Sequence, residues 1–173
     1  SQMRGDEILK NGGSVVRAFD EGAAFLYGAD AEKVTEAMAE FIRSYPLVLR
    51  CANGMLCAHS LPSARKLDLF DPAVLERELT EQDLQSKGAA SLMVWGRNHN
   101  DKIADELAEK LDCELFLLGH QPAEMGYEFV GRRIIVLNSD HDHGVALPFD
   151  LSERYTQETL AELIRPLAAV ATG

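Results

Sequence analysis

A run of four apolar residues at positions 115–118, followed at once by glycine and histidine, constrains the fold most strongly. Turn-forming residues bound this run on both sides, which is typical of a buried strand. Gly119 lets the chain bend sharply at the strand end, so that His120 stands above the sheet edge. Ligands of open α/β sheets bind beyond the carboxyl ends of the strands. The run therefore predicts an α/β fold with an imidazole at its binding edge, with a hydrogen-bonded structural histidine as the more frequent alternative.

Apolar residues at helical spacing predict most of the other elements. One helix, over residues 30–44, would bury an apolar stripe in the core. That stripe consists of Val34, Met38, Phe41 and Ile42. The predicted helices cover residues 14–26, 30–44, 101–111 and 156–170, and residues 67–87 are predicted to form a helix and a mobile connection. Pro166 is expected to kink or shorten the last helix. Helical spacing also occurs near the start, before Gly12-Gly13, at Met3, Ile8 and Leu9.

Two hairpins and further strands are predicted between these helices. Asn53-Gly54 between apolar runs predicts a hairpin over residues 47–59, and Gly131-Arg132 predicts a second one over residues 127–137. Residues 89–95 predict another strand, so that residues 89–118 would form a βαβ unit with a right-handed crossover. This unit would bring Arg97 and His120 to the same sheet edge. The last predicted strand covers residues 145–149.

The charge of the chain argues against nucleic acid and anionic membranes as partners. The 173 residues carry a formal net charge of −11 and contain no cluster of Lys and Arg. A phosphate group that enters such an acidic protein needs a local positive charge, for which a metal ion is a natural source. The three cysteines form no CxxC motif and are odd in number, which favours a reducing compartment. No apolar stretch has the length of a membrane span, so we expect a cytoplasmic protein.

Four histidines stand at or near predicted strand ends: His59, His120, His141 and His143. Alternate residues of an extended segment share a face, so the last two could present both imidazoles together. A metal site is the functional interpretation, and a solvated turn rich in Asp, His and Gly is the alternative. Arg97 could hold two phosphate oxygens at once, or it could form a surface ion pair.

Seven short motifs follow one another from residue 46 to residue 139. They are Pro46-Leu47, Asn53-Gly54, Ala58-His59, Val94-Trp95, Gly119-His120-Gln121, Gly126-Tyr127 and Leu137-Asn138-Ser139. Their order and spacing resemble the second half of a calcineurin-like metallophosphoesterase, most closely the protein serine/threonine phosphatase branch. The resemblance covers residues 45–151. It implies the C-terminal half of the αββα sandwich of that family, with a mixed sheet and flanking helices.

The resemblance also implies an activity and a site. The family hydrolyses phosphate monoesters with two divalent ions, which are Mn, Fe or Zn, and His59 and His120 match the positions that bind the second ion. Arg97 lies where the family often has Asp, and His141 lies in the loop that lines the substrate cleft but does not match the family there. Both are candidate catalytic residues that would steady the phosphate. The substrate would be a phosphoprotein or a small phosphoester.

The first half of the family pattern does not occur in this sequence. Its motifs are Gly-Asp-x-His, Gly-Asp-x-x-Asp-Arg and Gly-Asn-His-Glu, so the resemblance implies part of a longer enzyme that is inactive alone. Residues 1–173 would form one partial domain, with a helical cap-like region 1–45, a sheet region 46–151 and a C-terminal helix 152–173. An uncovered sheet edge would favour pairing with a second copy.

Two other functions remain open from the sequence. The fold could serve as a binding or interaction module without catalysis. Alternatively, His120, His141 and His143 could hold a single zinc ion in a mononuclear hydrolase, which would need no further half.

Overall fold

The computed structural model describes residues 2–4, 7–10 and 13–170, which form two compact units, Ser1–Pro46 and Leu47–Gly173. The first unit contains a three-stranded antiparallel sheet in the order β1-β2-β3 and two helices that pack on each other. Ser14 precedes the first helix, and its hydroxyl accepts a hydrogen bond from the Arg17 amide. The elements are β1 Gln2–Arg4, β2 Glu7–Lys10, β3 Gly13–Ser14, α1 Val15–Tyr27, the 3-10 helix Gly28–Asp30 and α2 Ala31–Arg43.

Two predictions for the first unit are wrong. Met3 and Ile8 pair across antiparallel strands rather than sharing a helix, since such a short segment is marginal as a helix. Gly12, the predicted break, lies outside the described residues. The predicted core stripe of α2 is also not buried, because Met38, Phe41 and Ile42 are each more than 40% exposed. Among the residues whose side chains the structure describes, none covers this stripe, because the first unit has only two helices and a small sheet.

The second unit is built on a five-stranded mixed sheet. Its strands are β4 Val48–Arg50, β5 Met55–Ala58, β6 Leu115–Leu118, β7 Tyr127–Val130 and β8 Ile134–Leu137, in the order β4-β5-β6-β8-β7. The central pairs β5–β6 and β6–β8 are parallel, and the two outer pairs are antiparallel hairpins. Both predicted hairpins and the predicted strand 115–118 are therefore confirmed.

Helices cover both faces of this sheet, and the strand residues alternate between them. One face carries Leu56, Phe116 and Ile134 and packs against two helices and the adjacent loops. The other face carries Met55, Leu115 and Ile135 and packs against a shorter helix near the C-terminus. The helices of this unit are 3-10 Ala64–Leu69, 3-10 Pro72–Leu75, α3 Glu81–Leu84, α4 Ala89–Trp95, α5 Asp101–Leu111, α6 Gln157–Ala161 and α7 Leu167–Val170. The fold is α/β, as predicted.

The prediction of a strand over residues 89–95 is wrong, because this segment is helix α4. Ala89, Ala90, Leu92 and Met93 are all buried, and a short apolar run that is buried on most sides has no periodicity to distinguish a helix from a strand. The predicted βαβ unit within residues 89–118 therefore does not form. The crossover instead runs from β5 to its parallel neighbour β6 and includes both α4 and α5.

The C-terminal prediction is wrong in part. The segment 156–170 is not one helix but α6, the strand β10 Arg165–Pro166 and α7. Helix α6 already ends at Ala161, and Pro166 pairs with Val145 of β9 Val145–Ala146, so the helix is shorter than predicted and the proline lies in a strand rather than at a kink. Residues 171–173 of the predicted C-terminal helix region lie outside the described residues. Within the part of the chain that the structure describes, no helix is both long and apolar enough to span a bilayer.

Candidate functional site

The parallel pairing of β5 and β6 brings His59 and His120 together. Ala58 and Leu118 are partners in the register, and the Gly119 amide extends the ladder by donating to the Ala58 carbonyl at 3.3 Å. The two histidines therefore leave the sheet side by side at its carboxyl edge. Their ring centroids lie 4.2 Å apart with an interplanar angle of 53°. Two strands whose paired residues are 60 positions apart in the sequence thus supply one histidine pair.

The environment of this pair favours neutral imidazoles. Burial is the main cause that lowers the pKa of His120 to about 4, and the Arg97 guanidinium and the neighbouring His59 contribute to the same shift. The pKa of His59 is also lowered, first by partial burial and then by Arg97. His120 Nε2 is fully buried and has no hydrogen-bond partner among the described residues. An unpaired buried nitrogen of this kind costs roughly 1–3 kcal/mol.

Arg97 lies close enough to both rings to affect their pKa values, although it follows a helix rather than a strand. Its guanidinium donates one hydrogen bond, from Nη1 to the Gly96 carbonyl at 2.6 Å. Among the described residues it forms no salt bridge, so the surface ion pair considered from the sequence does not occur there. Its positive charge therefore remains available beside the two imidazoles.

The hydrogen bonds of His141 are with residues other than His59, His120 and Arg97. His141 Nε2 donates to the Ala123 carbonyl at 2.9 Å, and its Nδ1 accepts from the His143 amide at 3.1 Å. Both ring nitrogens of His141 are thus occupied, one by its own turn and one by the loop that contains Ala123. The rings of His141 and His143 lie 6.0 Å apart. The structure brings together His59, His120 and Arg97, but it shows no contact of His141 with them.

Three polar residues that were not predicted as site residues surround the site. They are Ser60, His99 and Gln121, which link the loops that carry His59, Arg97 and His120. Each lies within two residues of a candidate site residue, and Gln121 also belongs to the motif Gly119-His120-Gln121, so these were the sequence signals that could have found them. Their partners are 22 to 38 residues away, so local patterns do not reveal the contacts.

The histidine pair brings two imidazole rings together. Over residues 2–4, 7–10 and 13–170, no group of three or more His, Cys, Asp or Glu side chains is arranged to hold a metal ion. The trio of His120, His141 and His143 therefore does not form a site in this conformation. No family model matches the chain, and no match was found among curated proteins.

Proposed function

We propose that this chain forms the second-metal half of a dinuclear metallophosphoesterase that hydrolyses phosphate monoesters, similar to the protein serine/threonine phosphatases. The finer fold would be the C-terminal half of the αββα sandwich of that family. The observation that carries the proposal is the pair of adjacent imidazoles at the carboxyl edge of the sheet, with the buried and unpaired Nε2 of His120. Metal ligation would satisfy this nitrogen.

The two histidines suit a divalent ion such as Mn, Fe or Zn. Metal ligands must be deprotonated at their coordinating nitrogen, and the depressed pKa values of His59 and His120 keep both imidazoles neutral at pH 7. When bound, the ion would polarise the phosphoryl oxygens and neutralise developing charge. Partial burial at the sheet edge strengthens such interactions, because fewer water molecules screen them.

Arg97 would bind the phosphate group in this proposal. A guanidinium presents several donors in a fixed fork that matches phosphate oxygens, and this one has no carboxylate partner among the described residues. It also repels protons from the two imidazoles, since its charge lowers their pKa values. One residue thereby favours both the neutral ligands and the anionic substrate.

The chain alone should be a poor catalyst. Two histidines are fewer than the three or more protein ligands of a usual catalytic site, and the motifs of the first half do not occur in the sequence. A non-catalytic binding module is the second candidate, and the shortage of ligands in the described residues favours it. A chain extended with the missing motifs and assayed on p-nitrophenyl phosphate separates the two. Turnover that depends on manganese supports the enzyme, and no turnover supports the module.

Calorimetric titration of the isolated chain with Zn²⁺ tests the metal site itself. We expect one equivalent to bind to the wild type, and no measurable binding to His59→Asn or His120→Asn. His143→Asn is the matched control, because it removes an exposed imidazole outside the pair. A wild type that binds no zinc, or a His143→Asn variant that loses it, would contradict the proposal. Inorganic phosphate should then bind to the zinc-loaded chain and not to its Arg97→Gln variant.

A further inference from the structure

His99 is a buried histidine with both ring nitrogens hydrogen-bonded. It lies in the loop between α4 and α5 and is 8% exposed. Its Nε2 donates to the Leu61 carbonyl at 2.9 Å, because a carbonyl can only accept. Its Nδ1 must then be the unprotonated nitrogen, and it accepts from Gln121 Nε2 at 3.1 Å. Burial lowers the pKa of His99, which keeps the ring in this neutral form.

These two hydrogen bonds connect three loops. Leu61 comes two residues after His59, and Gln121 comes directly after His120. Because Arg97 precedes His99 by two residues, all three candidate site residues lie on loops that meet at one imidazole ring. A third hydrogen bond reinforces the junction, since the buried Ser60 hydroxyl donates to the Gly96 carbonyl at 2.7 Å.

The backbone beside this junction adopts a conformation that non-glycine residues rarely adopt. His120 has a φ of 67° and Asn98 a φ of 59°. Left-handed conformations of this kind cost on the order of 1–3 kcal/mol and persist only where surrounding contacts hold them. For His120 those contacts come from its neighbour Gln121, whose side chain binds His99 and whose carbonyl accepts from Asn138 Nδ2 at 3.4 Å.

We propose that His99 is a positioning residue, which holds the loops of His59, Arg97 and His120 in the arrangement that binds metal and phosphate. This role rests on the proposed function, because the site it positions is the one proposed above. His99 itself contacts neither ion nor phosphate. It acts through the Leu61 carbonyl and the Gln121 side chain, so removing either contact should loosen a loop on the far side of the junction.

Two variants test the two hydrogen bonds of His99. Gln121→Met removes the amide donor at similar length and leaves the bond of His99 to Leu61. His99→Gln retains an amide donor for the Leu61 carbonyl, but its acceptor, Oε1, is on the same terminal amide and does not replace Nδ1 of the ring, to which Gln121 donates. The matched control is Gln157→Met, because Gln157 is also buried and donates from Nε2 to a backbone carbonyl, that of Ile134, at 2.9 Å.

The readouts are amide hydrogen exchange, histidine-ring NMR and zinc affinity. His99→Gln should shift or broaden the ring signals of His120 and speed amide exchange at Gln121, about tenfold for the loss of one hydrogen bond. Gln121→Met should likewise speed amide exchange at Asn98 and His99. Both variants should weaken Zn²⁺ binding about tenfold, as loss of an outer contact to a metal site usually does. Gln157→Met should lower the melting temperature without these local effects.

The outcomes distinguish this inference from the proposed function. If neither variant changes ring signals or exchange on the opposite loop, or if Gln157→Met changes them equally, His99 has only an ordinary structural role. If the wild type binds no zinc, the proposed function fails. The exchange and ring measurements then still decide whether His99 joins the three loops.

Discussion

Replacing Gly96 with alanine should destabilise the second unit strongly, although the substitution adds a single methyl group. A Cβ on Gly96 would lie 1.5 Å from the Leu61 carbonyl oxygen and 2.6 Å from its carbon. Both are backbone atoms, so no side chain can rotate away. The φ of Gly96 is −67°, which any residue adopts, so the effect is steric alone. Glycine is needed here because two backbone segments approach each other closely.

The loss of stability in Gly96→Ala depends on how far the loops of Gly96 and Leu61 must move apart. Overpacking of a well-packed interior costs about 1–3 kcal/mol. Separating the two loops also weakens the hydrogen bonds from Ser60 to Gly96 and from His99 to Leu61, each with a net contribution of about 1 kcal/mol. We therefore expect Gly96→Ala to lower the free energy of unfolding by roughly 2–4 kcal/mol, depending on how far the loops relax.

Urea unfolding followed by tryptophan fluorescence measures this change, because Trp95 is the only tryptophan and precedes Gly96. With a slope of about 1–3 kcal/mol per molar urea, the midpoint should fall by at least about 0.7 M. Gly22→Ala is the control, since a Cβ there meets no atom within 4 Å and alanine favours the helix. A Gly96→Ala midpoint equal to that of the wild type would refute the close approach of the two loops.

Two further variants test other parts of the second unit. The pKa of His120, about 4, lies below its ordinary value of 6.5, so the unfolded chain binds more protons between these values. In metal-free buffer, stability should fall as pH is lowered from 6.5 to 4, and His120→Asn should reduce this slope in urea titrations. Asn53 donates from Nδ2 to the carbonyls of Asp150 and Glu153. Asn53→Asp should cost roughly 2–4 kcal/mol by thermal unfolding, because a carboxylate cannot donate to them; an unchanged melting temperature would refute this anchoring role.

Local signals in the sequence predicted the elements that depend on local contacts. Asn53-Gly54 specified its hairpin, where Gly54 adopts a φ of 84°. The helix Asp101–Leu111 was predicted from its apolar spacing, and Glu106 and Lys110 pair across one turn at 2.8 Å. These features depend on residues a few positions apart, so the sequence of one short segment is enough to predict them.

Other features depend on distant residues and could not be predicted in this way. The segment Ala89–Trp95 forms a helix with four buried residues, and a short, mostly apolar run of this kind has no periodicity that distinguishes a helix from a strand. The parallel pairing of Met55–Ala58 with Leu115–Leu118 joins strands that are far apart in the chain. For the proposed site, the strand ends predicted where His59 and His120 lie, whereas the hydrogen bond of His99 joins it to a carbonyl 38 residues away.

The most direct test of the proposed site is a crystal of the chain grown with Zn²⁺, with anomalous data collected on both sides of the zinc absorption edge. The account predicts one strong anomalous peak, about 2.0–2.1 Å from a ring nitrogen of His59 and of His120. No peak at these two rings, or a peak at His141 and His143 instead, would contradict it.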